Sequence, residues 1–209
     1  MNTAVPKQFL LLAGKPLVMH SMQPFADVFP EISLILVLPH DQFIFWQNLC
    51  REYDFNVPHQ LVAGGKTRFH SVRNALKVLS GEGLVAIHDG ARPLISKSLI
   101  QRAFHTAELL GNSIPVVPVN DSFRKICGET SVPVDRNTLR MVQTPQVFDG
   151  ASLKKAYEQD YQERFTDDAM VMESMGENIH LTEGDLSNIK ITHPDDIVLA
   201  GRLLETLHF

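Results

Sequence analysis

Three short polar segments carry residues that could bind a phosphorylated ligand. They are AGGKTR at 63–68, HDGARP at 88–93 and NIKIT at 188–192. The first two follow apolar runs typical of strands, and ligands of open α/β sheets bind beyond the carboxyl ends of the strands. All three segments contain a basic residue, which favours an anion. The pattern therefore predicts a site for an anionic ligand at one edge of a sheet.

The first segment continues as GGKTRFHS and combines two glycines with the predicted start of a helix. Gly64 and Gly65 allow close backbone approach to a ligand, and free N–H groups at a helix start can bind an anion. The alternative is an ordinary turn with Thr67 as the helix N-cap.

In the second segment, Asp89 follows an apolar strand and precedes Gly90. Such an aspartate could bind a ribose hydroxyl, a polyol hydroxyl or a metal-bound water. The alternative is an Asp-Gly turn with a solvated Arg92.

The third segment places Lys190 between two isoleucines, which indicates a short strand whose lysine must reach water or an anion. An edge strand with a solvated lysine is the alternative. Thr192 precedes His193, Pro194 and acidic residues, a pattern typical of a helix cap, and Thr166 is a similar candidate N-cap.

Two further basic residues are candidates with simple alternatives. Arg136 follows Asp135, and a surface ion pair is the commoner explanation of such an arginine. Lys7 follows Pro6, which stiffens the turn, and a solvated lysine near the chain terminus is the alternative.

These segments lie between alternating strand and helix patterns. Short apolar runs predict buried strands, and helical periodicity predicts crossover helices between them. We therefore expect an α/β, Rossmann-like fold with a mainly parallel sheet in a single domain, 1–209. The predicted strands are 32–38, 60–63, 84–87, 113–119, 179–182 and 188–192, and the main helices are 41–53, 67–79, 98–110, 150–159, 167–175 and one from Pro194.

Residues 120–148 depart from this alternation, because they contain turns and alternating residues but no long helix. We expect this segment to form a protruding β-arm. An arm of this length cannot bury its own apolar residues, so a second subunit is a natural partner.

Composition excludes several classes of protein. The net charge of −5 argues against nucleic acid as a general partner, and no apolar run is long enough to span a membrane. The two cysteines, Cys50 and Cys127, cannot form a disulfide framework, and no residues have metal-ligand spacing. We therefore expect a cytoplasmic protein.

Taken together and in order, the motifs resemble those of one family. PKQF, GKPLVMHSM, GGKTRFHSV, HDGARP, VDRNTL, QTPQVF, TDDA and NIKIT are similar to segments of 2-C-methyl-D-erythritol 4-phosphate cytidylyltransferase and of its relative ribitol-5-phosphate cytidylyltransferase. The resemblance covers nearly the whole chain. It implies a homodimeric enzyme, joined through the arm, that transfers CMP from CTP to a polyol phosphate, with Mg²⁺ held mainly by the CTP phosphates. The ribitol 5-phosphate reaction is the alternative.

The resemblance also implies roles for individual residues. Lys7 matches a lysine that stabilises charge on the α-phosphate of CTP, and Arg136 and Lys190 match the pair that positions the attacking phosphate, with Arg136 supplied by the other subunit. Lys66 and His70 stand where the family often has acidic residues, so backbone contacts are implied there. The implied nucleotide-binding residues are Gly64, Gly65, Lys66, Ser71, Asp89 and Gly90, and the implied substrate-binding residues are Asp89, Arg92, Ser122, Arg136, Thr144, Thr166, Lys190 and Thr192.

In that family a first strand and a Gly-rich loop ending in Arg-Met precede PKQ. Met1 matches the methionine of that pair. We therefore expect that the first strand and most of the loop are missing because the sequence starts late or is truncated, with a natural deletion as the alternative. A non-catalytic protein without the phosphate loop is the alternative of a different class.

Overall fold

The computed structural model describes residues 6–80 and 82–206. The expectation about Met1 falls on residues 1–5 and lies outside the described residues. The helices are α1 (Leu17–Val28), α2 (Phe43–Glu52), α3 (Arg68–Leu76), α4 (Lys97–Leu110), α5 (Gly150–Ala156), α6 (Asp168–Glu173) and α7 (Pro194–Thr206). The strands are β1 (Leu11–Leu12), β2 (Lys15–Pro16), β3 (Ile35–Leu38), β4 (Gln60–Ala63), β5 (Leu84–Ile87), β6 (Asn112–Pro118), β7 (Phe123–Cys127), β8 (Thr130–Val134), β9 (Arg140–Val142), β10 (Gln146–Asp149) and β11 (Leu181–Glu183).

The main sheet has five strands and mixed directions. Its order is β11-β6-β10-β5, with β9 also paired to β6. β11 runs parallel to β6, whereas β10 is antiparallel to both β5 and β6, and β9 is antiparallel to β6. The prediction of a mainly parallel sheet is therefore wrong, although the α/β class is confirmed. The chain reverses direction into β9 and β10 without the crossover helix that parallel neighbours require.

Alternating side chains of the main sheet face two helical layers. Val147 of β10 packs with Ala103 and Ala107 of α4 on one face. The next residue, Phe148, packs on the other face with α3, α5 and α6. This alternation is the period of two that a pleated strand imposes, and it places the main core on both sides of β10.

A second pair of strands lies across a cavity from β5. β3 and β4 pair in parallel, from Ile35↔Gln60 to Leu38↔Ala63. Within the described residues, no strand pairing joins them to the main sheet. A cavity of about 770 Å³ is lined by β3 on one side and β5 on the other. Both strands are therefore partly exposed, rather than buried on both faces as predicted.

The arm is an exposed hairpin. β7 and β8 pair from Phe123↔Val134 to Cys127↔Thr130, and all of β7 is solvent-exposed. The hairpin is shorter than the expected segment 120–148, because β9 and β10 return to the main sheet.

Candidate active site

The polar end of the cavity gathers residues from four separate parts of the chain. Lys7 comes from a 3-10 turn near the start of the chain, Arg68 and Ser71 come from α3, Asp89 and Gly90 follow β5, and Lys190 precedes α7. Three of these six residues are basic and one is acidic. The arrangement is suited to an anion, because three basic side chains converge at one end of a cavity.

Asp89 is the centre of this cluster. Its Oδ2 lies 2.8 Å from Lys190 Nζ and 3.6 Å from Arg92 Nε, and its Oδ1 lies 3.9 Å from Arg68 Nε. Burial by itself raises the pKa of Asp89, but the hydrogen bond from Lys190 and the charges of Lys190 and Arg68 outweigh it, so the pKa is lowered. The carboxylate therefore stays charged and orients the cations around it.

The turn after β5 is held by hydrogen bonds beneath Asp89. His88 Nε2 lies 3.2 Å from the carbonyl oxygen of Arg92, which can only accept, so Nε2 carries the proton. Nδ1 then accepts from the Thr144 hydroxyl at 3.0 Å, whose oxygen accepts the Asp89 N–H at 3.0 Å. Thr144 is buried here and supports the turn.

The Gly64–Gly65 loop is fixed against the start of α3. The Gly65 N–H donates to Ser71 Oγ at 3.0 Å, and Thr67 caps the helix by accepting the His70 N–H. A Cβ at Gly65 would lie 2.4 Å from His70 Cβ and 2.9 Å from its carbonyl carbon, so a side chain cannot be accommodated. The predicted cap is confirmed.

Lys190 and Arg92 are neighbours through the backbone. Residues 188–192 form no strand, which corrects the prediction. The segment is joined to the turn after β5 by the Ile191 N–H, which donates to the carbonyl of Ala91 at 2.8 Å. Arg92 Nη1 donates to the carbonyl of Asn188 at 2.7 Å, while its buried Nε lacks a hydrogen-bond partner and faces Asp89. Burial lowers the pKa of Arg92.

Several implied site residues do not line the cavity. Lys66, Ser122, Arg136 and Thr166 are exposed. Thr166 donates to Met170 Sδ, and Asp167 rather than Thr166 caps α6, which corrects that prediction. Arg136 Nη1 donates to the carbonyl of Asn120 within the arm.

Thr192 also lies away from the cavity, and it is engaged by α7. Its hydroxyl and its N–H both donate to Asp196 Oδ2, at 3.0 and 2.7 Å. This pairing matches the predicted helix-start pattern.

Sequence reasoning missed Arg68 and Asp168, although both lie within quoted motifs. Arg68 donates to Asp168 through two nitrogens, at 2.7 and 2.5 Å, and the Asp168 side chain is fully buried. One signal was present: an arginine at the first position of α3 faces the positive end of the helix dipole, which is unfavourable without a compensating anion.

The described residues contain no group of three or more His, Cys, Asp or Glu side chains placed to hold a metal. Asp89 is the carboxylate at the polar end of the cavity, and three cations already face it. The side chains at this end therefore do not form a metal centre of their own. None of the helices within the described ranges is long and apolar enough to cross a membrane.

Comparison with known proteins identifies the family. Residues 1–206 match the family model described as IspD, 2-C-methyl-D-erythritol 4-phosphate cytidylyltransferase. Proteins of that name from Bacteroides fragilis and Porphyromonas gingivalis are 46% and 48% identical, covering 98% and 95% of this chain and 93% and 89% of theirs. The crystal structure of the enzyme from Thermus thermophilus matches with a TM-score of 0.80 and 32% identity, over 97% of this chain and 96% of that one. The chain belongs to the 2-C-methyl-D-erythritol 4-phosphate cytidylyltransferase family.

Proposed function

We infer that the protein transfers CMP from CTP to 2-C-methyl-D-erythritol 4-phosphate and releases pyrophosphate. The family match over residues 1–206 carries this conclusion. The cationic end of the cavity supports it, because the reaction brings a phosphate monoester against a triphosphate. The product, 4-diphosphocytidyl-2-C-methyl-D-erythritol, is a precursor in the non-mevalonate route to isoprenoids.

The chemistry requires charge neutralisation and positioning rather than a covalent nucleophile. An oxygen of the substrate phosphate forms a bond to the α-phosphorus of CTP, and the bond from that phosphorus to the bridging oxygen of pyrophosphate breaks. Attacker and target both carry negative charge, so fixed cations lower the barrier. Lys7, Arg92 and Lys190 lie at or beside the polar end of the cavity and supply that charge.

We assign roles from position. Lys7, partly buried at the cavity wall, stabilises the charge developing on the α-phosphate. Lys190, partly exposed and paired to Asp89, positions the attacking phosphate. Arg92 contributes its charge from below and fixes the 188–190 segment, because its Nη1 atom is occupied by a backbone carbonyl.

The nucleotide base is assigned to the Gly64–Gly65 loop. Gly64 and Ser71 approach closely, since a Cβ at Gly64 would lie 3.3 Å from Ser71 Oγ. The Gly64 and Gly65 N–H groups and the Ser71 hydroxyl donate within the protein, so the loop offers a planar ligand its backbone carbonyl groups and a close approach, while the exposed Lys66 contributes little. Asp89 and Gly90 complete the nucleotide side, and Thr144 supports them.

Mg²⁺ is proposed to enter with CTP. Asp89 is a poor metal ligand because Lys190, Arg92 and Arg68 already face it. The phosphate oxygens of CTP are the hard ligands that Mg²⁺ prefers. When bound there, the ion neutralises part of the phosphate charge.

We propose that the arm joins two copies of the chain. β7 and β8 expose Phe123, Ile126 and Val132 at 43, 72 and 47%. An isolated two-stranded hairpin is marginal in water, so a packing partner is expected. Arg136 of each chain would then reach the site of the other chain. Ser122, Thr166 and Thr192 would contact substrate only if the partner's arm brings the two chains together at the site.

A substrate assay tests the function. Purified protein is incubated with CTP, Mg²⁺ and either 2-C-methyl-D-erythritol 4-phosphate or ribitol 5-phosphate, and the CDP-linked product is identified by mass spectrometry. We expect turnover with the methylerythritol phosphate and little with ribitol 5-phosphate. Preference for ribitol 5-phosphate would reassign the substrate, and no product with either would contradict the assignment as a cytidylyltransferase.

A further inference from the structure

Arg68 joins three segments that meet at the polar end of the cavity. It begins α3, directly after the Gly64–Gly65 loop. Its guanidinium binds Asp168, the first residue of α6, and faces Asp89 in the turn after β5. One side chain therefore connects the proposed base-binding loop, the proposed phosphate-binding turn and the start of α6.

The far side of Arg68 is fixed in the core. Its two terminal nitrogens donate to the two oxygens of Asp168, which is 0% exposed. The buried Tyr157 hydroxyl donates to Asp168 Oδ1 at 2.5 Å. A bidentate pair of this kind sets the plane of the guanidinium as well as its position.

The near side of Arg68 faces one oxygen of Asp89. Nε lies 3.9 Å from Oδ1, whereas Lys190 and Arg92 both face Oδ2, at 2.8 and 3.6 Å. The two oxygens of Asp89 thus have separate partners. A partial rotation of the carboxylate about the Cβ–Cγ bond would withdraw Oδ2 from Lys190 and Arg92.

We propose that Arg68 is a positioning residue for the transfer reaction, because it holds Asp89 in the orientation that directs Lys190 and Arg92 toward the attacking phosphate. This inference rests on the proposed function. We assign Arg68 a positioning role rather than a catalytic one, because both of its terminal nitrogens donate to the buried Asp168.

A purely structural role for the buried cluster makes a different prediction. The charged or titratable groups that face Asp89 are Arg68, His88, Arg92 and Lys190. A positioning role requires that Arg68 act on Asp89 through its charge. A structural role requires only the hydrogen bonds that Arg68 and Tyr157 donate to Asp168. Tyr157 shares that role but is not among the groups that face Asp89.

Titration of ligand-free protein tests whether Arg68 acts on Asp89 through its charge. The carboxyl carbon of Asp89 is followed by NMR, assigned with Asp89→Asn, in wild type, Arg68→Gln, Arg73→Gln and Tyr157→Phe. We expect Arg68→Gln to raise the pKa of Asp89, because a positive charge is removed beside the carboxylate. Arg73 lies on the same helix over the Phe69 ring, so its variant controls for loss of a helix charge and should leave Asp89 unchanged. An unshifted Asp89 in Arg68→Gln would overturn the proposal.

Steady-state kinetics provide the second measurement. Arg68→Gln should lower kcat and raise KM for the polyol phosphate, with kcat/KM falling roughly 10- to 100-fold, as expected for a misplaced reacting group. KM for CTP should change less. Arg68→Lys keeps the charge without the bidentate pair and should recover part of kcat. This variant also tests the proposal if Arg68→Gln folds poorly.

Tyr157→Phe should lower stability while leaving kcat/KM within about threefold of wild type. If it reproduces the kinetic loss of Arg68→Gln, Arg68 is only part of a structural cluster and the proposal fails. An inactive wild-type protein would instead contradict the proposed function. The titration would still show whether the charge of Arg68 acts on Asp89.

Discussion

Lys7 shows how the role of a single side chain depends on where the fold places it. In the sequence it is a lysine after a proline, and apart from the family resemblance its residue type and neighbours do not distinguish it from a solvated residue. In the structure it is partly buried in a 3-10 turn and lines the cavity with Asp89 and Lys190. Only tertiary packing produces that neighbourhood, so the residue type alone could not have predicted it.

We expect Lys7→Ala to lower kcat about 100-fold or more, the scale of losing a preorganised group that stabilises transition-state charge. KM for CTP should rise much less, because the interaction strengthens as the reaction proceeds. Lys15→Ala is the matched control, since Lys15 is exposed on β2 and does not line this cavity. A near-normal kcat in Lys7→Ala would return the residue to a solvated role.

His88 links the site to pH. Burial lowers its pKa from 6.5 to about 4. The folded protein therefore keeps His88 neutral while the unfolded chain binds a proton below about pH 6.5. Its contribution to the free energy of unfolding is complete above pH 6.5 and is lost as the pH falls toward 4.

We expect His88→Gln to flatten the loss of stability between pH 6.5 and 4, by at most about 3 kcal/mol over that interval. Glutamine retains a donor and an acceptor but does not titrate. Chemical denaturation at several pH values measures the difference. His105→Gln, at an exposed position of α4, should leave the wild-type slope. Equal slopes for wild type and His88→Gln would show that His88 charges freely in the folded state.

The elements themselves were predictable where local pattern decides them. β4, β5, α4 and the start of α7 lie where the sequence placed them, to within a residue. The direction of β10 could not be predicted, because the sequence of a strand does not show whether its neighbours in the sheet run parallel to it. The 188–192 segment alternates like a strand, but one backbone hydrogen bond, Ile191 to Ala91, is too little for a ladder.

Gln146 of β10 stabilises the start of α6, a contact between elements that no local pattern indicates. Its buried Oε1 accepts the N–H groups of Asp168 and Ala169 at 3.1 and 3.0 Å, and its Nε2 donates to Asp167 at 3.0 Å. It therefore satisfies helix N–H groups that would otherwise lack partners.

We expect Gln146→Leu to lower the free energy of unfolding by about 2–4 kcal/mol, because two buried N–H groups lose their acceptor. Denaturant unfolding measures the change. Gln101→Leu, at an exposed position of α4, makes the same replacement without buried partners and should change stability little. A loss below about 1 kcal/mol in Gln146→Leu would mean that water replaces the side chain at the start of α6.

At the scale of the whole molecule, the proposed site residues lie in two separate places. Asp89, Arg92 and Lys190 are joined by direct contacts within one chain. Arg136 lies two residues after β8, is exposed, and donates a hydrogen bond to the carbonyl of Asn120. The sequence resemblance associated Arg136 with Lys190, but within the described chain they do not share the cavity. A second copy is the arrangement that would bring them together.

If Arg136 acts across a dimer, each complete site needs Lys190 from one chain and Arg136 from the other. Arg136→Ala and Lys190→Ala should then both be nearly inactive alone and should complement when mixed. Random exchange makes about half of the dimers mixed, and each mixed dimer holds one intact site and one that lacks both residues. Activity should therefore recover to roughly a quarter of wild type. Were Arg136 to serve its own chain, every site would lack one residue and mixing would restore nothing. Native mass spectrometry must first establish that the subunits have exchanged; with exchange established, an inactive mixture would exclude the shared site.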